Sequence, residues 1–562
     1  MGCRSSKSIT LKTVVSGPES VPPDEGFVDG VVCNDADIGE DEMKAVDLDG
    51  SKVLLVRQRG KLTAIGNKCS HYGVSLASGA LGDGRVRCPW HGACFNVETG
   101  DIEDFPGLDS LPCFQVSVVK GKVRVRAKRS ELTTGKRTKP MVGRLAGDNR
   151  TFVVIGGGPS GAACVETLRQ EGFTGRIVMI NKEPYLPYDR IAVSKAMDFE
   201  VDKKLLRRQA FYDEHAIETV LGVEASSMNV EIREIGLSNG SRISFDKVYI
   251  ATGSRAKKVP IEGADLANVC VMQTYQDSKH VSAQLGENKH VVILGSSFIA
   301  LEAASYCVNK VAKVTVIARG SIPLKDSFGP QIGQRILEWF KEKNVAFVLN
   351  SGLKRCIDDG NGKLESVELI DGSTLKADLC IMGVGSALYT DFLKGSGVKL
   401  DSNGAVYTDY HQETNIPGVY AGGDIAHSPL FCDQNISATL GHFGLAQYHA
   451  KIAALNMVDK PTVARSVPFF WTTLFGKSFR YAGHLPKLQD VLIEGDLQEF
   501  RFVAFYFDEN DHVKGMSSCG WDPVVAQFAE LLSQGRTLHR DQLKEDRFSW
   551  TKTISCADRL IN

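Results

Sequence analysis

The stretch TFVVIGGGPSGAACVETLRQEG, beginning at Thr151, constrains the fold more than any other part of the chain. A β-branched run feeds into Gly156-x-Gly158-x-x-Gly161 and then into apolar residues at helical spacing. A strand that turns at once into a helix needs Gly156 for the tight turn, Gly158 so that backbone amides can approach a pyrophosphate, and Gly161 for close helix–strand packing. The helix start, with Pro159 and Ser160, then faces the phosphate charge. The strand RIVMI follows, and Glu183 lies twenty-two residues past Gly161, in the range for a carboxylate that holds an adenosine ribose. A dinucleotide-binding βαβ unit is predicted.

A second, degenerate copy stands at HVVILGSSFIALEAASY, where Gly295-x-Ser297-x-x-Ala300 separates a strand from a helix and VTVIARG supplies the next strand. Alanine is accepted at the third position, whereas the Ser297 hydroxymethyl narrows the phosphate approach. The ribose-reading acid is replaced by Ala318 and Arg319. Arg319 suits either a 2′-phosphate, hence NADPH, or a solvated surface position. At 562 residues the chain is long enough for several domains. Lys+Arg 66 against Asp+Glu 67 leaves a charge of -1, so no global field draws it to nucleic acid or a membrane. Apolar runs such as Val291 to Leu294 are strand-length, so no transmembrane segment is predicted. The 14 cysteines are dispersed without a secretory leader, which predicts a reducing, cytoplasmic setting rather than secretion; apart from two metal-ligand candidates and one acylation candidate, the thiols are expected to be ordinary buried ones. The first residues, MGCRSS, match an acylation pattern at Gly2 and Cys3; two acyl chains would hold the chain at a membrane, one would not.

From Phe27 to Ala127, runs such as KVLLVR, KLTAIG, RVRC, FQVSVV and KVRVRA alternate between Gly and Asp turns, the pattern of a small all-β module. Within it, Cys69-Ser-His71 is followed after sixteen residues by Cys88-Pro-Trp-His91, so each loop offers one thiolate and one imidazole. That is the Rieske pattern, in which two Cys bind one iron and two His the other, as a [2Fe-2S] centre suited to one-electron transfer. A Cys2His2 zinc site is the rival, although zinc fingers usually pair Cys with Cys and His with His. The surrounding CPWHGACFNVETGD resembles the second loop of Rieske-type ferredoxins and oxygenase components. Cys94 has no counterpart in the first loop to form the disulfide of the high-potential respiratory type, so a low-potential centre with Cys94 as a buried structural thiol is expected.

Residues 151 to 562 resemble the flavoprotein family that includes pyridine nucleotide-disulfide reductases, oxygenase-coupled ferredoxin reductases and apoptosis-inducing factors. YLPYDRIAVSK, YIATGS at 249 to 254 and TNIPGVYAGGDIA at 414 to 426 carry the likeness. The resemblance implies that Asp424 meets the flavin ribityl chain, Arg190 the FAD phosphates and Lys195 the reactive flavin edge, where Glu302 pairs with it. Thr252, Gly253 and Gly385 join the nucleotide-binding set, and His442-Phe443 is expected along the flavin. Ile191 and Val193 replace a Pro and a Leu of the family pattern. Trp471 and Phe475, in VPFFWTTLFGKSFRYAGH, are candidates for the flavin wall. No Cys-x4-Cys follows the first Gly-rich helix, so disulfide reduction is not expected. GRVRCPWHGACFN, DFPGLDSL, ETLRQEGF, FWTTLFGKSFRYAG and GDLQEFRFVAFY extend the resemblance to the apoptosis-inducing factor 3 family through nearly the whole chain.

The expected fold is multidomain: a small all-β Rieske domain, nested Rossmann-like FAD and NAD(P) domains of α/β type, and an α+β C-terminal interface domain. The expected division is a tail at 1–25, Rieske domain 26–127, linker 128–150, FAD-binding parts 151–285 and 406–460 around an NAD(P)H-binding domain at 286–405, and interface domain 461–562. The reading is an oxidoreductase that takes hydride from NADH or NADPH onto FAD and sends single electrons through the cluster to an unidentified acceptor. A Rieske oxygenase would need a two-His, one-carboxylate iron site, and His442 and His449 form no recognisable version of it. Two alternatives stay open: a scaffold of cell-death signalling with vestigial turnover, and a reductase component feeding a partner oxygenase. The resemblance also admits a homodimer and a mitochondrial location.

Overall fold

The computed structural model describes residues 26–544 and 546–555, so Gly2 and Cys3 lie outside the described residues. The N-terminal module is a six-stranded sheet built from Phe27–Asn34, Glu42–Leu48, Ser51–Gln58, Lys61–Gly66, Cys113–Val119 and Lys122–Lys128. Its pairings are antiparallel, and alternation selects the buried face: along Lys122–Lys128, Val123, Val125 and Ala127 point inward while their neighbours do not. A four-stranded sheet of short strands, Ala80–Leu81, Arg85–Arg87, Cys94–Asn96 and Ile102–Asp104, stands beside it and carries the second of the two Cys/His loops.

Residues 128–150 have the polar composition of a tether but are held along their length. They begin with a helix, Arg129–Thr134. Arg137 then pairs with Ser110 of the β module, while Val142 and Leu145 donate backbone bonds to Arg169 and Thr174 of the next domain.

The Gly-rich turn leaves the centre of a five-stranded parallel sheet ordered Ile217–Leu221, Arg176–Asn181, Thr151–Ile155, Lys247–Ile250, Val419–Ala421. The three inner strands are mostly apolar and buried, because the middle of a parallel sheet is covered on both faces. The last strand arrives only after a second five-stranded sheet, ordered Val269–Cys270, Leu379–Met382, His290–Leu294, Lys313–Ile317, Val345–Val348, so one dinucleotide fold is nested in the other. The chain closes with a five-stranded antiparallel sheet between Phe469 and Cys519 and the helix Val524–Ser533. Among the described residues no helix is long and apolar enough to cross a membrane. The described cysteines are free thiols; against the expectation that all but the ligand and acylation candidates are buried, Cys113 is exposed, with its Sγ bonded to the Glu98 carbonyl at 2.9 Å, and Cys33 and Cys432 are half-buried.

Candidate functional site

The first glycine turn is shaped by space as much as by φ. Gly156 has φ +127, and a Cβ on it would lie 2.1 Å from the Ala251 carbonyl oxygen; a Cβ on Gly161 would lie 1.9 Å from that of Gly156. Gly157, which the motif reading passes over, is equally confined, since its Cβ would meet Asn181 Cγ at 2.3 Å. Gly158 is open by comparison and caps the helix Pro159–Gln170. In the second turn Gly295 has φ +111 and faces the Gly383 carbonyl, to which the Ser297 hydroxyl donates at 3.0 Å. Ala300 fits because Gly383 lies opposite it, where a Cβ would approach Ala300 Cβ to 2.9 Å.

A cavity of about 930 Å³ runs from these turns to the C-terminal sheet. Gly156, Gly158, Pro159, Ser160, Glu183, Arg190, Lys195, Thr252, Gly253, Ser297, Glu302, Gly385, Asp424, His442, Phe443 and Trp471 line it. Gly161, Gly295 and Ala300 stand behind the wall in the turns, and Arg319 is exposed at the end of Lys313–Ile317, outside the lining. Phe475 is not in the wall: it packs on Trp339 and Phe340, with ring centroids at 5.2 and 4.8 Å, and Phe470 lines the cavity instead. The strand Phe469–Leu474 ends just before Phe475, whose positive φ of 45 turns it into another core.

The polar groups of the wall suit a large, partly anionic cofactor. Arg190 pairs with Glu183, which also accepts the Tyr188 hydroxyl at 2.7 Å. The Asp424 carboxyl is pushed up by burial, with Ser254 Oγ at 3.2 Å and Arg190 acting the other way. His442 is held neutral by burial, its pKa lowered to about 4, and its buried Nδ1 has no partner within the protein. An orphaned buried nitrogen in the wall of so large a cavity fits a site completed by a bound group. Further in, Lys195 Nζ meets Glu302 Oε1 at 2.6 Å; Glu302 also accepts Ser194 Oγ at 2.5 Å and Thr472 Oγ1 at 2.6 Å. Sequence reading missed Ser194 and Thr472. Their only signal is adjacency, Ser194 to Lys195 and Thr472 to Trp471.

The two Cys/His loops fold into matching turns. Cys69 N bonds to Val74 O and Gly73 N to Cys69 O; Cys88 N bonds to Ala93 O and Gly92 N to Cys88 O. Gly73 and Gly92 both take positive φ, +77 and +81, where other residues are strained. Each turn aims backbone amides at its sulfur: His71 and Tyr72 at Cys69, Trp90 and His91 at Cys88. Burial pushes the Cys88 thiol up, and a hydrogen bond from Cys88 is the main cause that lowers Cys69. His71 Nδ1 and His91 Nδ1 face each other at 3.1 Å, and burial lowers their pKa values to about 4 and about 2, leaving neutral imidazoles of the kind that ligate metals. Among the described residues no three His, Cys, Asp or Glu side chains converge on one ion position. The donors form a sulfur pair and a nitrogen pair, which suits a two-iron cluster better than a single zinc.

These imidazoles pack against a residue of the cavity wall. The His91 and Trp471 ring centroids are 4.6 Å apart, those of His71 and Trp471 6.2 Å. Tyr72 stacks on His71 at 3.9 Å and donates to Asp189 Oδ2 at 2.5 Å, while Arg480 Nε donates to the Trp90 carbonyl at 3.1 Å. Gly92 abuts Phe469, whose Cγ would be 2.6 Å from an added Cβ. Trp471 and Phe469 thus have one side on the Cys/His turns and line the cavity as well.

Residues 150–449 match the family described as pyridine nucleotide-disulphide oxidoreductase, and residues 29–115 match the Rieske [2Fe-2S] domain. The chain is 37% identical over 535 residues to human apoptosis-inducing factor 3, covering 94% of this chain and 88% of that protein. It is 30% identical over 347 residues to the ferredoxin–NAD(+) reductase subunit of a benzene 1,2-dioxygenase system from Pseudomonas putida, covering 61% and 83% of the two chains. A solved ferredoxin reductase from Rhodopseudomonas palustris shares the fold, with a TM-score of 0.68 over 72% of this chain and 100% of that one at 23% identity. Two family matches in this order, and a relative aligned across both, show that the chain belongs to the apoptosis-inducing factor 3 family: NAD(P)H-dependent FAD oxidoreductases of the pyridine nucleotide-disulphide type that carry a Rieske [2Fe-2S] domain ahead of the reductase.

Proposed function

We propose that the protein takes two electrons from NAD(P)H as a hydride and delivers them singly, through its own cluster, to two equivalents of a one-electron acceptor, releasing NAD(P)+ and a proton. Bound FAD can accept a hydride and release single electrons, and a Rieske cluster carries one at a time, so the pair supplies the two-to-one conversion. The observation that carries this reading is the contact of Trp471 with the imidazole of His91, at 4.6 Å, from a position in the wall of the nucleotide cavity.

In this reading the turn at Gly156, Gly158 and Gly161 and the start of the helix at Pro159 and Ser160 hold the FAD pyrophosphate, Glu183 the adenosine ribose, and Asp424 the ribityl chain. Arg190, Thr252, Gly253, His442 and Phe443 complete that wall. Gly295, Ser297, Ala300 and Gly385 serve the NAD(P)H half. Arg319, exposed after Lys313–Ile317, would serve a 2′-phosphate of NADPH. The Lys195–Glu302 pair keeps a fixed charge arrangement where the nicotinamide meets the flavin, Lys195 oriented by Glu302 and Glu302 by Ser194 and Thr472. Cys69, His71, Cys88 and His91 ligate the cluster.

Anaerobic titration with NADH and with NADPH, reading flavin and cluster bands separately, tests the proposal. Both centres are expected to be reduced by one nucleotide or the other; flavin bleaching with an oxidised cluster overturns internal transfer. In His71→Ala the cluster bands are expected to vanish while flavin still bleaches, and retention of full cluster content would refute the ligand assignment.

A further inference from the structure

The Rieske module is bonded to the C-terminal domain through a carboxylate that the proposed electron path does not use. Glu530, on the helix Val524–Ser533, is 0% exposed. Its Oε1 accepts Arg87 Nε at 2.6 Å and its Oε2 accepts Arg85 Nε at 2.8 Å, both from the strand that leads into Cys88. Arg87 then reaches across the ligand turn: its Nη1 donates to the Gly92 carbonyl at 2.8 Å and to Asp104 Oδ2 at 3.2 Å. Asp104 in turn accepts Ser466 Oγ at 3.0 Å, from the segment that precedes the C-terminal sheet. Arg85 also bonds Ser533 Oγ, and the Cys94 thiol lies 3.7 Å from Glu530 Oε1. Gly82 is compelled by the same carboxylate, since a Cβ there would fall 2.2 Å from Glu530 Oε2.

Two guanidiniums face two carboxylates, so the network is neutral as a whole. Burial alone would push the Glu530 carboxyl up, but the Arg87 and Arg85 guanidiniums outweigh it and hold it below its ordinary value. Separating the domains would leave the buried Glu530 without either guanidinium and Arg85 without its carboxylate, while Arg87 would keep only Asp104, until water entered, which opposes opening.

We propose that Glu530 is a positioning residue: through Arg87 it holds the Cys88–Gly92 turn, and with it the His91 ring, against Trp471, so that the cluster is reduced within a locked unit instead of by a module that swings away between turnovers. The inference rests on the internal transfer proposed above.

The test uses the full chain loaded with FAD and cluster, as wild type, Glu530→Gln and Arg85→Gln, mixed anaerobically with whichever of NADH and NADPH bleaches flavin faster. Flavin bleaching is expected to keep its rate in all three. Cluster reduction is expected to be first-order and independent of protein concentration in the wild type, and in Glu530→Gln to slow about tenfold or more and to gain a concentration dependence as other molecules' flavins begin to compete. In protein without cofactors, hydrogen exchange at amides 88–92 and 524–533 is expected to rise together in Glu530→Gln, with the sheet around Thr151–Ile155 unchanged. Wild-type cluster reduction in a fully loaded Glu530→Gln protein, or unchanged exchange at both segments, overturns the proposal. Should Glu530→Gln assemble no cluster, Arg85→Gln decides, because its lost bonds, to Glu530 and Ser533, lie outside the ligand turn: slowed reduction at full cluster content supports the lock and a wild-type rate overturns it. If the wild-type cluster itself stays oxidised after bleaching, the internal-transfer reading fails, and the exchange measurement alone then decides whether Glu530 holds the module.

Discussion

Glu302 accepts three short hydrogen bonds, from Lys195, Ser194 and Thr472, while only 4% exposed. Glu302→Ala removes the ion partner of a partly buried ammonium and unpairs two hydroxyls, so a loss of about 3 kcal/mol is expected, read as a lower Tm. The same variant is expected to slow hydride transfer about tenfold or more, because Lys195 then has no fixed orientation. His449 behaves differently. It is 6% exposed, its Nδ1 accepts the Gly423 amide at 3.4 Å, and burial lowers its pKa from 6.5 to about 4. The unfolded chain therefore takes up the proton first: the contribution of the neutral ring is whole above pH 6.5 and is lost as pH falls toward 4. That contribution is at most about 3 kcal/mol. His449→Gln is expected to flatten the decline of Tm across this window; an unchanged slope would exclude His449 as its source. At this scale the sequence was partly legible. The family resemblance marks Lys195 and Glu302, whereas Thr472 acts on Glu302 from 170 residues away and no local pattern marks it.

Among elements, the helix Pro159–Gln170 depends on one absent side chain. A Cβ at Gly161 would stand 1.9 Å from the Gly156 carbonyl oxygen, so Gly161→Ala must push the helix off the strand. Overpacking of this kind costs about 1–3 kcal/mol, and here it also displaces the turn proposed to hold FAD, so flavin content on purification is expected to fall together with Tm. Retention of full flavin at wild-type Tm would contradict the packing argument. The predicted strand runs are all strands, because alternation and β-branching are backbone preferences that neighbours alone reveal. The linker and Phe475 were less legible: polar composition says where a segment can meet water, not what it lies against.

For the whole molecule, the Rieske module is joined to the reductase by more than the buried Glu530 network. Arg207 bonds Asp109 at 2.7 Å and Glu166 at 3.0 Å, and Lys451 reaches the Ile102 and Glu103 carbonyls at 3.1 and 3.3 Å. Buried pairs are screened little by salt, whereas association of separate charged carriers slows steeply with it. Cluster reduction in the intact chain is therefore expected to change less than about twofold between roughly 0.05 and 0.5 M salt in stopped-flow traces. A steep decline would mean that the module docks and undocks during turnover.

By itself the sequence determined which groups each segment offers: the cysteine and histidine of each Cys/His loop, the glycines of the first Gly-rich turn, the alternation that makes strands. Those demands fall on residues close together along the chain, so their spacing records them. Only the tertiary structure decided which centre faces which. The contacts of Trp471 with His91 and of Glu530 with Arg87, the latter across 443 residues, depend on how separately formed domains bury their surfaces against one another, and that burial leaves no periodic trace in either segment.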